Sequence, residues 1–409
     1  MATLLPFRAL RPLPSAAASI AAVPYDVVTT DEARALADGN PVSFLRVSRA
    51  ELELPPSTDP YGDSVYARAA RNFGSLKSSS LVLEPEPEIY CYRLRMGSHE
   101  QTGLAACFSL DEYDRDLIKK HERTRRDKED DRTRHMIALG AQTGPVFLVY
   151  RSSPDIATIV SKATAVEPLI DFTAADGVQH TLWTVAAADR DALIRSFARI
   201  PALYIADGHH RAASAARARD EIRRNGGGQS LGDDADFTSM LGVAFPHDEV
   251  QILPYNRTVK DLGGLDEQGF LASVGEQFTI EPGPAAPAVR GDISMYFRGR
   301  WHTLRPRAHA KASDAIGALD VSVLQERLLG PVLKIADIRT DRRIDFVGGA
   351  RGTRALEDAV DAGRAAVAFS LFPVSVSDLI SVSDAGEIMP PKSTWFEPKL
   401  RDGLLIHVI

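Results

Sequence analysis

Ala202-Leu203-Tyr204-Ile205-Ala206-Asp207-Gly208-His209-His210-Arg211 is the stretch on which the reading of this chain turns. Its first four residues are apolar and β-prone, whereas Arg211 to Arg223 is rich in Ala and Arg and has the composition of a helix. A strand therefore delivers an acid, a turn glycine, two imidazoles and a guanidinium to a helix start. The unpaired N–H groups of such a start, with the helix dipole, favour a phosphate or carboxylate, and Arg211 is placed to grip the same anion through two hydrogen bonds. His209 and His210 add groups that exchange protons near neutral pH. The plain alternative is a capped turn in which Asp207 bonds the first helical N–H groups and the histidines are solvated.

Working outward, the Asn225-Gly226-Gly227-Gly228 run closes the helix, and Met240 to Phe245 and Gln251 to Pro254 are the next strands. Upstream, Glu88 to Leu94 and Gly103 to Phe108 alternate as a hairpin, Val146 to Tyr150 follows Gly144-Pro145 as a strand, and Asp176-Gly177 marks a turn within Asp171 to Val185. Downstream, residues 281–291 are a proline-rich loop. Helices are expected around Val321 to Leu329 and Arg354 to Ala362, with strands at Ala366 to Leu371 and Leu404 to Ile409. The order of elements predicts a mixed α+β protein rather than regular βαβ alternation. Two parts are expected, residues 1–245 with the histidine cluster and residues 246–409 with the Lys392-Ser393-Thr394 turn.

The 409 residues carry 48 Lys+Arg against 55 Asp+Glu, a formal charge of −7 spread along the chain. That balance argues against nucleic acid as the main partner. No apolar run approaches the roughly 20 residues of a membrane span, and no signal-peptide pattern opens the chain, so a cytoplasmic location is the default expectation. Cys91 and Cys107 lack metal or redox spacing and read as free buried thiols.

Met389-Pro390-Pro391-Lys392-Ser393-Thr394, with Pro398-Lys399, offers two lysines and two hydroxyls on a proline-stiffened turn. It lacks the glycines of a P-loop, yet suits a phosphate or carboxylate; a rigid surface turn anchored by Trp395 and Phe396 is the alternative. His121-Glu122 fails the zinc-protease pattern because position 125 is arginine. Glu122 or His121 remains a candidate base or magnesium ligand if the charged segment from Asp111 to Arg134, expected to be a solvated helix, folds over the main site. Asp26, after the apolar Ile20 to Val23 run, is expected at a strand end, with an aspartate that opens a turn as the alternative. Arg257, in Leu253-Pro254-Tyr255-Asn256-Arg257, is a second candidate anion clamp.

These motifs, together with Pro24-Tyr25-Asp26-Val27-Val28, resemble the family of unknown function numbered 1015 across nearly the whole chain. The Ile205 to Arg211 segment is also similar, over some thirty residues, to the phosphate-binding corner of ParB-like and sulfiredoxin-like domains, including the free serine kinases. That likeness implies a ParB/sulfiredoxin-like core elaborated by insertions, and a corner that holds the transferred phosphate beside a carboxylate base and magnesium.

The expected function is a nucleotide-dependent phosphotransferase, a serine-kinase-like enzyme acting on a small hydroxyl compound with ATP, ADP or CTP and Mg2+. Asp207 would bind magnesium or orient the hydroxyl, His209 and His210 would contact phosphate, and Asp26 or Glu122 would be the base. Gly208, Arg211, Arg257, Lys392, Ser393, Thr394 and Lys399 would bind phosphate or substrate. On this reading Arg211→Ala leaves the melting temperature nearly unchanged. Two alternatives use the same residues: a metal-dependent hydrolase of phosphate esters or nucleotides, and a non-enzymatic nucleotide sensor.

Overall fold

Apolar, β-branched and aromatic runs bounded by glycine and proline produce the strands of a computed structural model that describes residues 2–225, 236–307 and 316–409. The Gly226-Gly227-Gly228 part of the expected helix stop lies outside the described residues. Two units partition the chain: the first holds residues 1–120, 124–250 and 398–409, the second 121–123 and 251–397. The last twelve residues thus return to the first unit, instead of staying with everything after residue 245. Lys399 and the Lys392 turn consequently belong to different units.

The first unit is built on an eight-stranded mixed sheet. Its strands are β1 (Tyr90–Met96), β2 (His99–Ser109), β3 (Ile118–Lys119), β4 (Val146–Tyr150), β5 (Ile170–Thr173), β6 (Gln179–Thr184), β7 (Leu203–Asp207) and β8 (Ser239–Pro246). Their spatial order is β3-β7-β4-β8-β2-β1-β6-β5. Only the β3/β7 and β4/β8 pairs are parallel; the others are antiparallel, as the hairpin spacing of β1 and β2 requires. Strand β7 is covered on both faces, which is why Leu203, Tyr204 and Ile205 are all apolar and at most 2% exposed. Burial of this kind contributes on the order of 2 kcal/mol per large side chain.

From β7 the chain turns at Gly208 into α2 (His209–Asn225); the earlier helix α1 (Arg126–Leu139) packs beside it. Ala212, Ala215, Ala216 and Ala218 are buried, and their small side chains let the backbone of α2 lie close to the sheet. Ser214 donates to the Glu129 carbonyl at 3.2 Å, and Arg217 pairs with Glu129 at 3.0 Å, tying α2 to α1. A smaller four-stranded sheet joins Ala9–Pro12, Leu81–Leu83, Ala141–Gln142 and the chain's end, Ile406–Val408.

The Asp111–Arg134 segment is not one solvated helix: it contains a short helix, strand β3, a loop and the start of α1. Asp131, Thr133 and His135 of α1 are buried, because Asp131 satisfies its charge on Arg132 at 2.8 Å and accepts from the Tyr66 hydroxyl at 2.9 Å. Nor does Asp26 end a strand. The preceding apolar residues form the helical turn Ala17–Ile20 and a single β-bridge from Ala22 to Asp402, and Asp26 lies exposed in the turn that follows.

The second unit has a six-stranded sheet of β9 (Tyr255–Val259), β10 (Phe278–Pro282), β11 (Ile293–Phe297), β12 (Arg300–Pro306), β13 (Ile344–Gly348) and β14 (Val367–Leu371), in the order β10-β12-β11-β14-β9-β13, all antiparallel. Gln251–Leu253 pairs with Trp395–Glu397 beside it. The predicted helices are present as Asp320–Leu324 continuing into a π-turn at Gln325–Leu329, and as Arg354–Asp361. Among the described residues, no helix is long and apolar enough to cross a membrane.

Candidate functional site

The strand-to-helix corner of the first unit gathers Asp207, Gly208, His209, His210, Arg211, Asp26 and Lys399. Gly208 has φ +93°, and a Cβ there would lie 3.0 Å from Arg211 Nε, so the turn requires glycine twice over. It reverses the chain between the last residue of β7 and the first of α2, which leaves the Asp207 carboxylate at the mouth of the helix. Lys399 Nζ donates to Asp207 Oδ2 at 2.9 Å, while Arg211 Nη2 approaches Oδ1 at 3.7 Å. Burial alone would raise the Asp207 pKa, but Lys399, Arg211 and His209 outweigh it and hold the carboxyl well below its ordinary range.

Arg211 is 7% exposed. Its Nη1 donates to the Pro145 carbonyl. Burial disfavours its charge, yet Asp26, Asp207 and Asp402 together keep the guanidinium firmly protonated. The geometry therefore corrects the expectation that Arg211→Ala is thermally silent: its removal would strand neighbouring carboxylates, which for buried pairs costs about 3–5 kcal/mol. His209 is buried and begins α2. His210 Nε2 accepts the Arg125 backbone N–H at 3.0 Å, so that nitrogen carries no proton in this arrangement.

Sequence reasoning missed Asp402, Arg132, Tyr25 and His135. Asp402 is 2% exposed, and burial, with Asp26 nearby, pushes its carboxyl up to about 7 against the pull of Arg211 and Arg132. Arg132 stacks its guanidinium 4.2 Å from the Tyr25 ring centre. Asp402-Gly403 reads in sequence as an ordinary turn, so no local signal marked the aspartate.

In the second unit the His121-Glu122 segment, Arg257 and the Lys392-Ser393-Thr394 turn come together. The Met389 N–H donates to the His121 carbonyl at 2.9 Å, and His121 Nε2 lies 3.3 Å from Thr394 Oγ1. Glu122 is half-buried beside them in sequence. Arg257 is 1% exposed and donates to the Tyr255 and Lys392 carbonyls, with no acidic partner among the described residues. Burial lowers its pKa to about 10. Lys392 has φ +59°, its ammonium 5.5 Å from the Tyr255 ring centre, and Ser393 donates to the Pro390 carbonyl at 2.6 Å.

A family model described as a protein of unknown function, DUF1015, matches residues 4–322. The chain belongs to that family. No curated protein matches it. Solved structures similar to this DUF1015 member include a free serine kinase in complex with AMP, at 13% identity and TM-score 0.36 over 71% of this chain and 86% of that one. Others are SbnI from Staphylococcus aureus, at 11%, 0.37, 74% and 86%, and a conserved hypothetical protein from Pyrococcus furiosus, at 13%, 0.36, 73% and 93%.

Proposed function

We propose that this DUF1015 protein is a nucleotide-dependent phosphotransferase acting on a small hydroxyl compound, with a ParB/sulfiredoxin-like core in the first unit. One observation carries the reading. A helix start, where backbone N–H groups and the dipole favour an anion, stands beside His209 and His210, with Lys399 hydrogen-bonded to the Asp207 carboxylate. Asp207 sets Lys399 and Arg211 in place, so the cationic side of the corner is preorganised.

The transferred phosphate rests on the first turn of α2, with His209, His210 and Lys399 on its oxygens. Asp26, the exposed carboxylate of the corner, takes the proton of the acceptor hydroxyl. That oxygen forms a bond to phosphorus as the bond from phosphorus to the departing nucleotide oxygen breaks. In the second unit, Arg257 with Lys392, Ser393 and Thr394 is assigned to a phosphate or carboxylate on the same grounds, since a buried guanidinium without an acid has an unanswered charge.

Magnesium, when bound, neutralises phosphate charge. Asp207 fits poorly as its ligand, because Lys399 and Arg211 already engage its two oxygens; the ion is expected on the nucleotide's own phosphate oxygens. The likeness of the Ile205–Arg211 corner to free serine kinases makes serine and related hydroxy acids the first acceptors to try.

His210→Ala tests the assignment. Turnover with ATP, ADP or CTP should fall at least about 100-fold, while stability falls by no more than about 1–2 kcal/mol for one lost hydrogen bond. Full activity in a folded His210→Ala protein would remove His210 from the phosphate site.

A further inference from the structure

Beside the corner, wholly within the first unit, lies a cavity of about 30 Å3 whose polar lining includes Tyr25, Arg132, His135, Arg211 and Asp402. Met136, Ala141, Val146 and Leu241 supply its apolar part. We propose that this cavity is a subsite for a hydroxymethyl group, whose oxygen bridges Arg211 Nε and Asp402 Oδ1.

Two unanswered atoms carry the argument. Arg211 and Asp402 are 7% and 2% exposed, and among the described residues Arg211 Nε and Asp402 Oδ1 are buried without a hydrogen-bond partner. An orphaned donor and an orphaned acceptor each cost free energy that most folds avoid. Gly144 keeps the space beside them open. A Cβ at that position would collide with Asp402 Oδ1 and lie 3.5 Å from Arg211 Cδ, the carbon that carries Nε.

The neighbouring polar groups are spent elsewhere. Arg132 donates to the Asp131 carboxylate and to the Ser48 carbonyl at 3.2 Å. Gln142 uses both ends of its amide on the Ser239 carbonyl and the Leu241 N–H. His135 Nε2 lies 3.0 Å from the Val47 carbonyl and carries the ring hydrogen toward it. Arg211 gives Nη1 to the Pro145 carbonyl and sets Nη2 3.7 Å from Asp207, while Asp402 accepts the Tyr25 backbone N–H. None of these bonds reaches Nε or Oδ1.

Charge narrows the ligand. Two guanidiniums in the lining exclude a cation, and an anion would stand against Asp402 while Asp131 and Asp207 already answer Arg132 and Arg211. A neutral hydroxyl avoids both conflicts. Its oxygen accepts the Nε–H and its hydrogen goes to the Asp402 carboxylate; when Asp402 is protonated, the carboxyl O–H donates to the same oxygen instead. Both forms of Asp402 are populated at neutral pH, because burial holds its pKa at about 7. Volume then separates an alcohol from water. One water needs about 10–15 Å3 and at least two polar partners, so an oxygen seated between the two orphans leaves about as much space again. The apolar side chains there offer a second water nothing to bond, and a methylene suits them.

As an acceptor subsite this rests on the phosphotransferase reading and makes the acceptor a primary alcohol. As a binding site it is tested without nucleotide, so the two fail separately. The experiment is saturation-transfer NMR on the full chain with methanol as the probe, beside formate and tert-butanol at equal concentration. Formate carries an acceptor with a charge, and tert-butanol carries the hydroxyl on a group too large for the space. Methanol should give a saturable signal that the other two lack and that Asp402→Leu loses. A signal strongest with formate, equal signals from all three probes, or a methanol signal that survives in Asp402→Leu overturns the proposal. If that variant does not fold, a crystal of the unaltered protein soaked in methanol decides. A methanol oxygen bonded to both Arg211 Nε and Asp402 Oδ1 supports the subsite, and a lone water or an empty cavity there defeats it.

Discussion

Asp402→Asn should make the protein more stable at alkaline pH than at acid pH relative to the unaltered chain. In the folded state the Asp402 carboxyl is raised from 3.8 to about 7, chiefly by burial. The native state therefore binds this proton more tightly than the unfolded chain. Stability from this group is fully present below about pH 4, and it is lost as pH rises through 7. The shift of some three units corresponds to roughly 4 kcal/mol at about 1.4 kcal/mol per unit. Asparagine keeps the shape, can still accept the Tyr25 N–H, and never ionises. Urea titrations followed by far-UV circular dichroism at pH 4, 5, 6, 7 and 8 should show the two proteins converging at pH 4, with the gap opening from pH 5 upward. By pH 8 the variant should be ahead by up to about 4 kcal/mol. A difference that does not change with pH, or a variant that is weaker at pH 8, would refute the claim that an uncompensated charge is buried at this position.

Further outcomes follow from the same geometry. Lys399→Met removes the 2.9 Å partner of Asp207; with both side chains partly exposed, the loss is about 2 kcal/mol, read as a melting temperature lower by about 4 °C. An unchanged melting temperature would mean the pair is not formed in solution. Gly208→Ala, at φ +93° and with Arg211 Nε only 3.0 Å from the new methyl, should destabilise by about 1–3 kcal/mol in calorimetry; a neutral substitution would contradict the turn as described. The His135 ring, with its pKa lowered to about 4 by burial, should show no imidazole titration between pH 8 and 5 in NMR, whereas a midpoint near 6.5 would place it in solvent. Arg257→Met takes away a buried charge that has no acidic partner. It should leave the melting temperature level or higher while lowering nucleotide-dependent turnover, and a drop in the melting temperature with turnover intact would make Arg257 structural.

The local chemistry of the corner was legible in sequence because each of its signals is short-range. Four apolar residues specify β7, an alanine-rich run specifies α2, and Gly208 alone permits the turn between them. The β1–β2 hairpin and the Asp176-Gly177 turn were legible for the same reason. What sequence hid was long-range. Nothing in Pro24-Tyr25-Asp26 announces that the chain's end pairs with it through the Ala22–Asp402 bridge, and so Asp402 went unnoticed although it faces Arg211. Charge density misled at α1, where Asp131 and His135 read as surface. Both are buried, because Arg132, Tyr66 and the Val47 carbonyl satisfy them from positions remote in sequence or turned inward. Arg211 is the clearest case. Its motif suggested a side chain held out to an anion, yet the fold surrounds it with three carboxylates and makes it the strut of the corner.

Phosphate transfer at that corner is the activity to test first. The deciding measurement is 31P NMR of the purified protein with magnesium and ATP, ADP or CTP, in the presence of serine and related hydroxy acids. A new phosphate-ester resonance should grow as the nucleotide is consumed and be lost in His210→Ala. Unchanged nucleotide with every acceptor, or nucleotide converted to inorganic phosphate with no ester formed, would contradict it.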